Sequence, residues 1–584
     1  DVTFCIREGV MIIDGEVIPL IAPQCSTKIC TITGYELEDL DLDLFFSDNF
    51  GSVASLETNE EMPAEYEQDI VDEFPRACDK INNPLEGIGI NWDLFSGEDK
   101  SKIKEFLTEF EDVFFDGTLG AFKKTDLVKA YIDTGDSPPV RSRIYQPSPH
   151  DVEDIKKIIS ELLEQQIIEV SDSQWRSSAL FLRKKDGKLR MVLDLRELNK
   201  VTRKIASDLP SLASISHSMH GVQVFSSFDC HNGYFSVALG DEESKDRTTF
   251  GIGSNANCGT AYRLRRLPQG LSSSAGIFQR LSNIIMAGMP STVLNYLDDY
   301  VCGTHTSLNQ PGGLDEHIDL LKKLFARLRT AGVSLKPSKC NLFQDNVEYV
   351  GYKLSKDGLF INDKNIEKIR NLKPPRTISG LRSVIGALTY LRRTIPGFAK
   401  IAEPLHELLR GKQQKLAWND DAQLAFEKLK ASVTSEPCLA FPNLAEKFIL
   451  FCDRSSKAIG AMLAQKGEGK LRPIGYFSRM LSRSERLWSI AEIEALSIVE
   501  GLLHWQSLLR YSEVLIFSDN RAARFILTAD RQPSERRAKL VAKFSEFPRA
   551  SIQHIEGKRN VVADFLSRPE CDSNSSDSSD SDDC

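Results

Sequence analysis

The chain has 584 residues, 41% hydrophobic and 27% charged, which is too long for a single hydrophobic core and excludes a fibrous or wholly disordered protein. No apolar run approaches membrane-spanning length, the first residues resemble neither a signal nor a transit peptide, and the twelve cysteines stand singly, which argues against a zinc module and for reduced, intracellular thiols. The net charge of −10 hides a division: residues 1–130 carry 29 acids and 10 bases, residues 570–584 carry six acids and no base, and so 131–569 carry +15, the sign that polyanion binding requires, although a merely soluble surface would also have it.

Along the chain, residues 1–105 read as an acidic leader, partly disordered, with short strand-like runs such as GEVIPLIAP. The first residue is Asp1 rather than Met, as expected of a processed product or a fragment. SKIKEFLTEFEDVFFD predicts a helix with Ile103, Phe106, Leu107 and Phe110 on one side. Asp133-Thr134-Gly135 is the triplet aspartic proteases use, but the next element is a charged helix with Ile155, Ile158, Ile159, Leu162 and Leu163 on one face, not a β-rich lobe. SALFLRKKDGKLRMVLDL predicts a hairpin turning at Asp186-Gly187, and DEHIDLLKKLFARLRTAG a helix stopped by Gly332. Basic helical segments punctuated by prolines occupy 373–411, a new α/β unit opens at KFILFCD, and ECDSNSSDSSDSDDC predicts a disordered acidic tail.

Two adjacent aspartates, Asp298 and Asp299, interrupt the apolar run VLNYLDDYVCG. Burying both is costly without a cation, and because strand residues alternate in direction, both approach one ion only at a hairpin tip. An ordinary Asp-Asp turn in water is the plain alternative. VFSSFDCHNGYFSVAL places Asp229 at the end of another apolar strand, before Gly233, Tyr234 and Phe235. Three carboxylates from two strands are able to hold two magnesium ions about 4 Å apart, the arrangement that drives nucleotidyl transfer. Lys184, Lys185 and Arg190, around the predicted hairpin tip, are placed to meet a triphosphate, or else simply cover a solvated turn.

KKDGKLRMVLDLRELNKVT, FSSFDCHNGYFSVAL, LPQGLSSSAGIFQRL and YLDDYV occur in the order and approximate spacing of a retroelement reverse transcriptase. With SKCNLFQDNVEYVGYKLSKDGL and LRSVIGALTYLRRTIPGFAKIAEPLHELL, the chain most resembles the Pol polyprotein of gypsy-type long-terminal-repeat retrotransposons, from about Phe106 to Arg568. The resemblance implies that Asp229, Asp298 and Asp299 are the polymerase metal carboxylates and that Lys184 and Arg190 touch the incoming triphosphate. It also implies that Tyr234 lies under the sugar, against a 2′-hydroxyl, and that Gln269 lines the nucleotide pocket, although either residue could simply pack. Gln269 stands where the commoner gypsy form has Phe, and VGY replaces the usual Leu-Gly-His.

Further on, Asp453 ends a strand, Glu494 lies inside the helix WSIAEIEALSIVEGLLHW, Asp519 ends a third strand and Asp564 falls on a last helix. Singly each reads as a cap or a solvated acid, and Asp519 before NRAARF is an N-cap candidate. Together they resemble RNase H, which implies a second two-metal centre that hydrolyses the RNA strand of an RNA–DNA hybrid, with Glu494 rather than Glu492 at the catalytic position. FCDRSS replaces the common Thr-Asp-Ala-Ser, and His554 is expected to be structural or RNA-facing. Lys373, Arg376, Arg382, Arg392, Arg393 and Lys400 form a basic region suited to a duplex backbone.

The expected architecture is an α+β right-hand polymerase followed by an α/β RNase H-like domain: a leader at 1–105, fingers and palm at 106–360, thumb and connection at 361–444, RNase H at 445–570 and a tail at 571–584. The expected cofactor is magnesium, two ions per active site, with manganese as the substitute. The expected partners are an RNA template, a DNA primer, RNA–DNA hybrid and dNTPs, with no membrane. The oligomeric state stays open, a homodimer included, and the setting is intracellular, in cytoplasmic particles, the nucleus or both. The rival is a decayed or domesticated retroelement protein that only binds nucleic acid or acts as a scaffold; loss of one of the seven acids would be its mark, and all seven are present.

Overall fold

The structure is a computed structural model that describes residues 2–5, 10–13 and 16–19, and then 84–554 except 116–124, 184–188, 206–211, 254–260, 411–414, 436–437, 468–469, 519 and 529–533. For the strands before residue 20, and for 212–214, 453 and 470, only the backbone is described. Val2–Cys5, Val10–Ile13 and Glu16–Pro19 form an antiparallel meander, a unit by itself. The predicted disordered tail lies outside the described residues.

Among the described residues from 84 on, apolar side chains gather into three main cores and a small cluster of Met462 and Ala464, and the second core also draws Ile215, Met219, Val222, Phe225 and Val301 from the stretch that builds the first. The first runs from Ile88 to Phe343. Ser96 caps the helix Gly97–Glu109 by accepting from the Asp99 amide, and Ile103, Phe106 and Leu107 are buried. Phe106 stacks on Phe325 of the helix Gly313–Ala331, ring centroids 5.5 Å apart, and Gly332 ends that helix at φ 67°. The expected leader boundary at 105 is therefore corrected: it falls inside a helix, and Ile88 and Phe95 already belong to the first core.

Helix Val152–Glu164 buries Ile155, Ile158, Ile159 and Leu162, while Leu163, expected on the same face, is exposed. It lies against a five-stranded sheet in the order Ile168–Ser171, Ala261–Leu264, Phe250–Gly251, Ser177–Arg183, Leu189–Asp194. The last two strands are the predicted hairpin, with Arg183 opposite Leu189. Asp133-Thr134-Gly135 is a turn bound to its surroundings: Asp133 Oδ1 accepts from the Gly135 amide at 2.8 Å, Arg203 Nη1 donates to Asp133 Oδ2 at 3.1 Å, and Arg247 Nε donates to Thr134 Oγ1 at 3.0 Å.

The central sheet is antiparallel, in the order Val293–Tyr296, Asp299–Thr304, Val224–Asp229, Asn341–Gln344. The strand Val224–Asp229 is buried on both faces up to its last residue, Ser226 and Ser227 included, which is why its sequence shows no alternation of apolar and polar positions.

The second core joins helices Ile378–Tyr390 and Asp420–Thr434 to a sheet of Asn346–Tyr349, Tyr352–Ser355, Gly358–Ile361 and Cys438–Leu439. The expected boundary at 360 cuts one of these strands and is also corrected: Leu359 pairs with Leu439, and Leu359 and Ile361 are buried with Leu381 and Phe426.

The third core spans Phe448 to Ile552. Its sheet has the order Lys470–Met480, Ala458–Gly467, Phe448–Arg454, Val514–Ser518, Ala550–His554, antiparallel on one side and parallel on the other, and is covered by helix Ile490–His504. It is fastened to the second core by Arg392 Nη2 donating to Ser478 O at 3.1 Å, the Ala399 amide donating to Ser478 Oγ at 3.0 Å, and a Lys457–Glu403 ion pair at 3.1 Å. Among the described residues no helix is long and apolar enough to cross a membrane.

Candidate active sites

Asp229 is the last residue of its strand and Asp299 the first of the neighbouring one, and the two are cross-strand partners. Asp299 also pairs with Tyr296, which leaves Leu297 and Asp298 as a two-residue turn. Both adjacent aspartates thus sit at a hairpin tip. Leu297 has φ 54°, a left-handed conformation that a side chain makes costly. Helix Ser274–Met286 holds the turn from below: Gln279 Oε1 accepts from the Leu297 amide at 3.0 Å, and Ser282 Oγ donates to Leu297 O at 3.2 Å. Tyr300 OH donates to Ser282 Oγ at 2.9 Å. Gln279 and Ser282 were not singled out in the sequence; the available signal was two polar residues three apart on the buried side of an apolar helix.

The three carboxylates press on one another. Burial and then the charge of Asp229 push the Asp298 carboxyl up. Burial, then Asp298 and Asp229, push the Asp299 carboxyl to about 7. One cation is at hand: Lys339 Nζ donates to Asp229 Oδ2 at 2.7 Å. Burial works against this ammonium, yet the hydrogen bond and charge of Asp229 hold it above its ordinary value. Among the described residues no three acid, histidine or cysteine side chains close on a common point that would hold a metal, and Asp229 is paired with Lys339. The donor set nevertheless fits a hard divalent cation, because it is all carboxylate oxygen and each group raises its neighbours' need for positive charge.

Tyr234 lies in the turn Gly233–Ser236, buried, its ring centroid 5.0 Å from that of Phe278. A Cβ on Gly233 would come within 2.6 Å of Phe278 Cζ, so glycine lets this turn seat against the ring. Gln269 precedes Gly270, and among the described residues its buried Oε1 has no hydrogen-bond partner; the same is true of Ser272 Oγ and Ser273 Oγ. Asn199 fixes the loop, donating to Gly270 O at 2.9 Å and accepting from the Ser272 amide at 2.8 Å. Arg190 is half-buried on the strand Leu189–Asp194, and Lys184 lies outside the described residues.

In the third core Asp453 belongs to the strand Phe448–Arg454, opposite Gly460. Glu494 is buried in helix Ile490–His504, where Ser518 Oγ donates to Oε2 at 3.4 Å and Arg454 Nε lies 3.3 Å from Oε1. Glu492 does a different job. Its carboxylate accepts from the Ser489 amide at 3.1 Å in a capping box and pairs with Arg537 Nε at 3.1 Å. Glu494 therefore meets the ends of the strands that carry Asp453 and lead into Asp519, while Asp519 and Asp564 themselves lie outside the described residues. His554 is exposed at the end of the last described strand. Of the basic region, Lys373, Arg376 and Arg382 are exposed, whereas Arg392 is turned to Ser478.

Two family descriptions match the chain: reverse transcriptase (RNA-dependent DNA polymerase) over residues 182–354, and RNase H-like domain found in reverse transcriptase over 418–516. The Retrovirus-related Pol polyprotein from transposon 297 of Drosophila melanogaster is 30% identical over 494 residues, 82% of this chain and 44% of that protein. That from transposon 412 is 28% identical over 80% of this chain and 37% of the relative. The Transposon Tf2-3 polyprotein of Schizosaccharomyces pombe is 28% identical over 74% of this chain and 31% of its own length. The chain thus spans less than half the length of these relatives. Among solved structures, the foamy viral protease-reverse transcriptase in complex with RNA/DNA hybrid has a TM-score of 0.67 at 20% identity, covering 83% of this chain and 64% of that one. The dRH form of that protein in complex with double-stranded DNA has a TM-score of 0.68 at 22% identity over 79% of each chain. At these identities the likeness is one of fold.

Proposed function

The chain belongs with the Pol polyproteins of long-terminal-repeat retrotransposons, carrying a reverse transcriptase domain followed by an RNase H-like domain, and from that premise we propose that it copies RNA, and then DNA, into DNA and degrades the RNA strand of the hybrid. The observation that carries this reading is the pairing of Asp229 with Asp299 across adjacent strand ends, with Asp298 in the tight turn between.

Asp229, Asp298 and Asp299 would hold magnesium, or manganese in its place; when bound, the ions activate the primer hydroxyl and neutralise the phosphates. The protein's own work is positioning. Gln279 and Ser282 fix the turn that aims two of the carboxylates. The Tyr234 ring, backed by Phe278, has little room to retreat from a 2′-hydroxyl, which favours dNTPs. Lys184 and Arg190 meet the triphosphate, and the unpartnered amide oxygen of Gln269 faces the nucleotide. Asp453, Glu494, Asp519 and Asp564 form the nuclease centre. Exposed Lys373, Arg376 and Arg382 contact the backbone of a template–primer duplex, so binding weakens steeply with salt. The nucleic acids named for the foamy viral structures support a hybrid and a DNA duplex as partners, and cytoplasmic particles or the nucleus as the setting follow from the same reading.

The test is magnesium-dependent primer extension on RNA, with release of labelled template followed in the same reaction. Asp298→Asn is expected to abolish extension and keep cleavage of a preformed hybrid, Glu494→Gln to do the reverse, and Glu492→Gln to keep both. Salt-sensitive hybrid binding without extension by the wild type would replace the enzyme reading with that of a binding protein.

A further inference from the structure

Lys339 closes a short turn, Pro337–Lys339, that is built onto Asp229 itself. The Lys336 amide donates to Asp229 O at 2.9 Å, Cys230 is bridged to Leu335, and the Lys339 amide donates back to Lys336 O at 3.0 Å. Cys340, fully buried, anchors the far side of the turn, its amide donating to Pro337 O and its Sγ to Lys336 O. The backbone that ends the Asp229 strand thus also sets where the Lys339 stem starts. From there an exposed side chain reaches a mostly buried carboxylate, and its ammonium donates to Oδ2. The same charge bears through space on Asp298 and Asp299, so one ammonium serves all three acids.

An exposed lysine ordinarily leaves its charge in water, because holding a long side chain to one partner costs rotamer entropy. Here the partners differ from an ordinary surface acid: three carboxylates at one hairpin tip repel one another, burial makes that repulsion expensive, and a positive charge beside them relieves it. A divalent cation relieves the same repulsion and takes the same oxygen. Asp229 Oδ2 cannot hold both without setting two positive charges side by side. We propose that Lys339 is the resident counter-ion of the polymerase carboxylates: it holds Asp229 until a divalent cation binds and is released by that cation, so that metal binding is an exchange of one cation for another. This rests on the polymerase reading above and names a regulation of that site. The exchange costs the metal what the lysine pair is worth, about fivefold in affinity, the upper end for an exposed lysine because Asp229 is mostly buried. In return, the hairpin tip keeps its place when divalent metal is scarce.

The experiment titrates Mn²⁺ into the full chain and counts the free ion by electron paramagnetic resonance. Lys339→Met keeps the length of the stem and loses the charge; Lys339→Arg keeps the charge. Each chain is also made with Asp298→Asn and Asp299→Asn, which removes polymerase-site binding and leaves any other site in place. Lys339→Met is expected to bind Mn²⁺ about fivefold more tightly than the parent, Lys339→Arg to stay near the parent, and the difference to vanish in the asparagine background. In EDTA, hydrogen exchange of the peptide 293–304 should be faster in Lys339→Met than in the parent, and saturating Mn²⁺ should bring the two together; a lysine that only braced the fold would leave the gap unchanged. Equal Mn²⁺ affinity with and without the ammonium overturns the proposal. So does weaker binding in Lys339→Met, a difference that survives in the asparagine background, or an exchange gap as wide in Mn²⁺ as in EDTA. If the Mn²⁺ affinities and exchange rates shift as expected while the parent extends no primer, Lys339 keeps its role and the polymerase reading falls.

Discussion

Gln279→Met tests whether the Leu297-Asp298 turn is held from below. Methionine fills nearly the same volume but offers only a weak thioether acceptor, so the part-buried Leu297 amide, now 3.0 Å from Gln279 Oε1, loses its partner. An orphaned amide costs about 1–3 kcal/mol when fully buried, and this part-buried one falls at the lower end of that range. Leu297 at φ 54° adds a strain of about 1–2 kcal/mol that the hydrogen bond now offsets. Once the bond is lost the strain goes unopposed and the turn opens, carrying Asp298 and Asp299 with it. Each 1.4 kcal/mol of lost transition-state stabilisation is about tenfold in rate, so kcat for primer extension should fall about 10- to 100-fold. KM for the template–primer should change little, because the duplex is gripped elsewhere. Hydrogen exchange of the peptide 293–304 should accelerate in parallel. If kcat stays within about twofold of the wild type and exchange is unchanged, strand pairing alone holds the turn and the reasoning is wrong.

Val350 is a β-branched residue at φ 45°, followed by Gly351 at φ 73°, in the two-residue turn between Tyr349 and Tyr352. Such turns favour Asn-Gly, so Val350→Asn should relieve about 1–2 kcal/mol of strain, lose part of that in apolar contact, and raise the urea midpoint; a lower midpoint would mean that contact with the second core outweighs the strain. His317 is fully buried between Ser226 Oγ and Thr304 Oγ1, each 2.8 Å from a ring nitrogen, and burial lowers its pKa to about 3. Because the folded value lies below the unfolded 6.5, the neutral ring's contribution is complete above pH 6.5 and is lost as the pH falls toward 3. From pH 7 to pH 5 the loss from this one ring is about 2 kcal/mol, and His317→Gln should flatten the stability profile over that window; identical slopes would show that the ring does not stay neutral.

What was legible in the sequence was whatever a strand or helix imposes on its own neighbours. Asp229 and the Asp298-Asp299 pair stood out because charge inside an apolar run is expensive wherever the run folds. The helices at 97–109 and 313–331 followed from apolar spacing and from the glycine at 332. What escaped was contact across distance. Lys339 lies 110 residues from Asp229, and nothing local marks it as that carboxylate's partner. Gln279 and Ser282 look like breaks in an apolar face until the turn they hold is in place. The bounds at 105 and 360 escaped for a related reason: packing runs across both, because Ile88 and Phe95 belong to the first core and Leu359 to the second. Arg392 read as a cation for nucleic acid, yet a backbone carbonyl 86 positions away takes its guanidinium.

Lys339 and Arg454 answer one problem at two places. Buried carboxylates set close together repel one another throughout folding, and a basic side chain drawn among them lowers that cost. The two solutions differ in how easily they give way. The Lys339 side chain is 55% exposed and reaches Asp229 as a flexible point charge, so water replaces its partner at little expense when Asp229 is needed elsewhere. The Arg454 side chain is 24% exposed against a Glu494 side chain that is 3% exposed, so parting the two costs more. The Lys339–Asp229 pair is therefore the more readily parted of the two, and the difference follows from how deeply each basic side chain and its acid are buried rather than from the length of the contact between them.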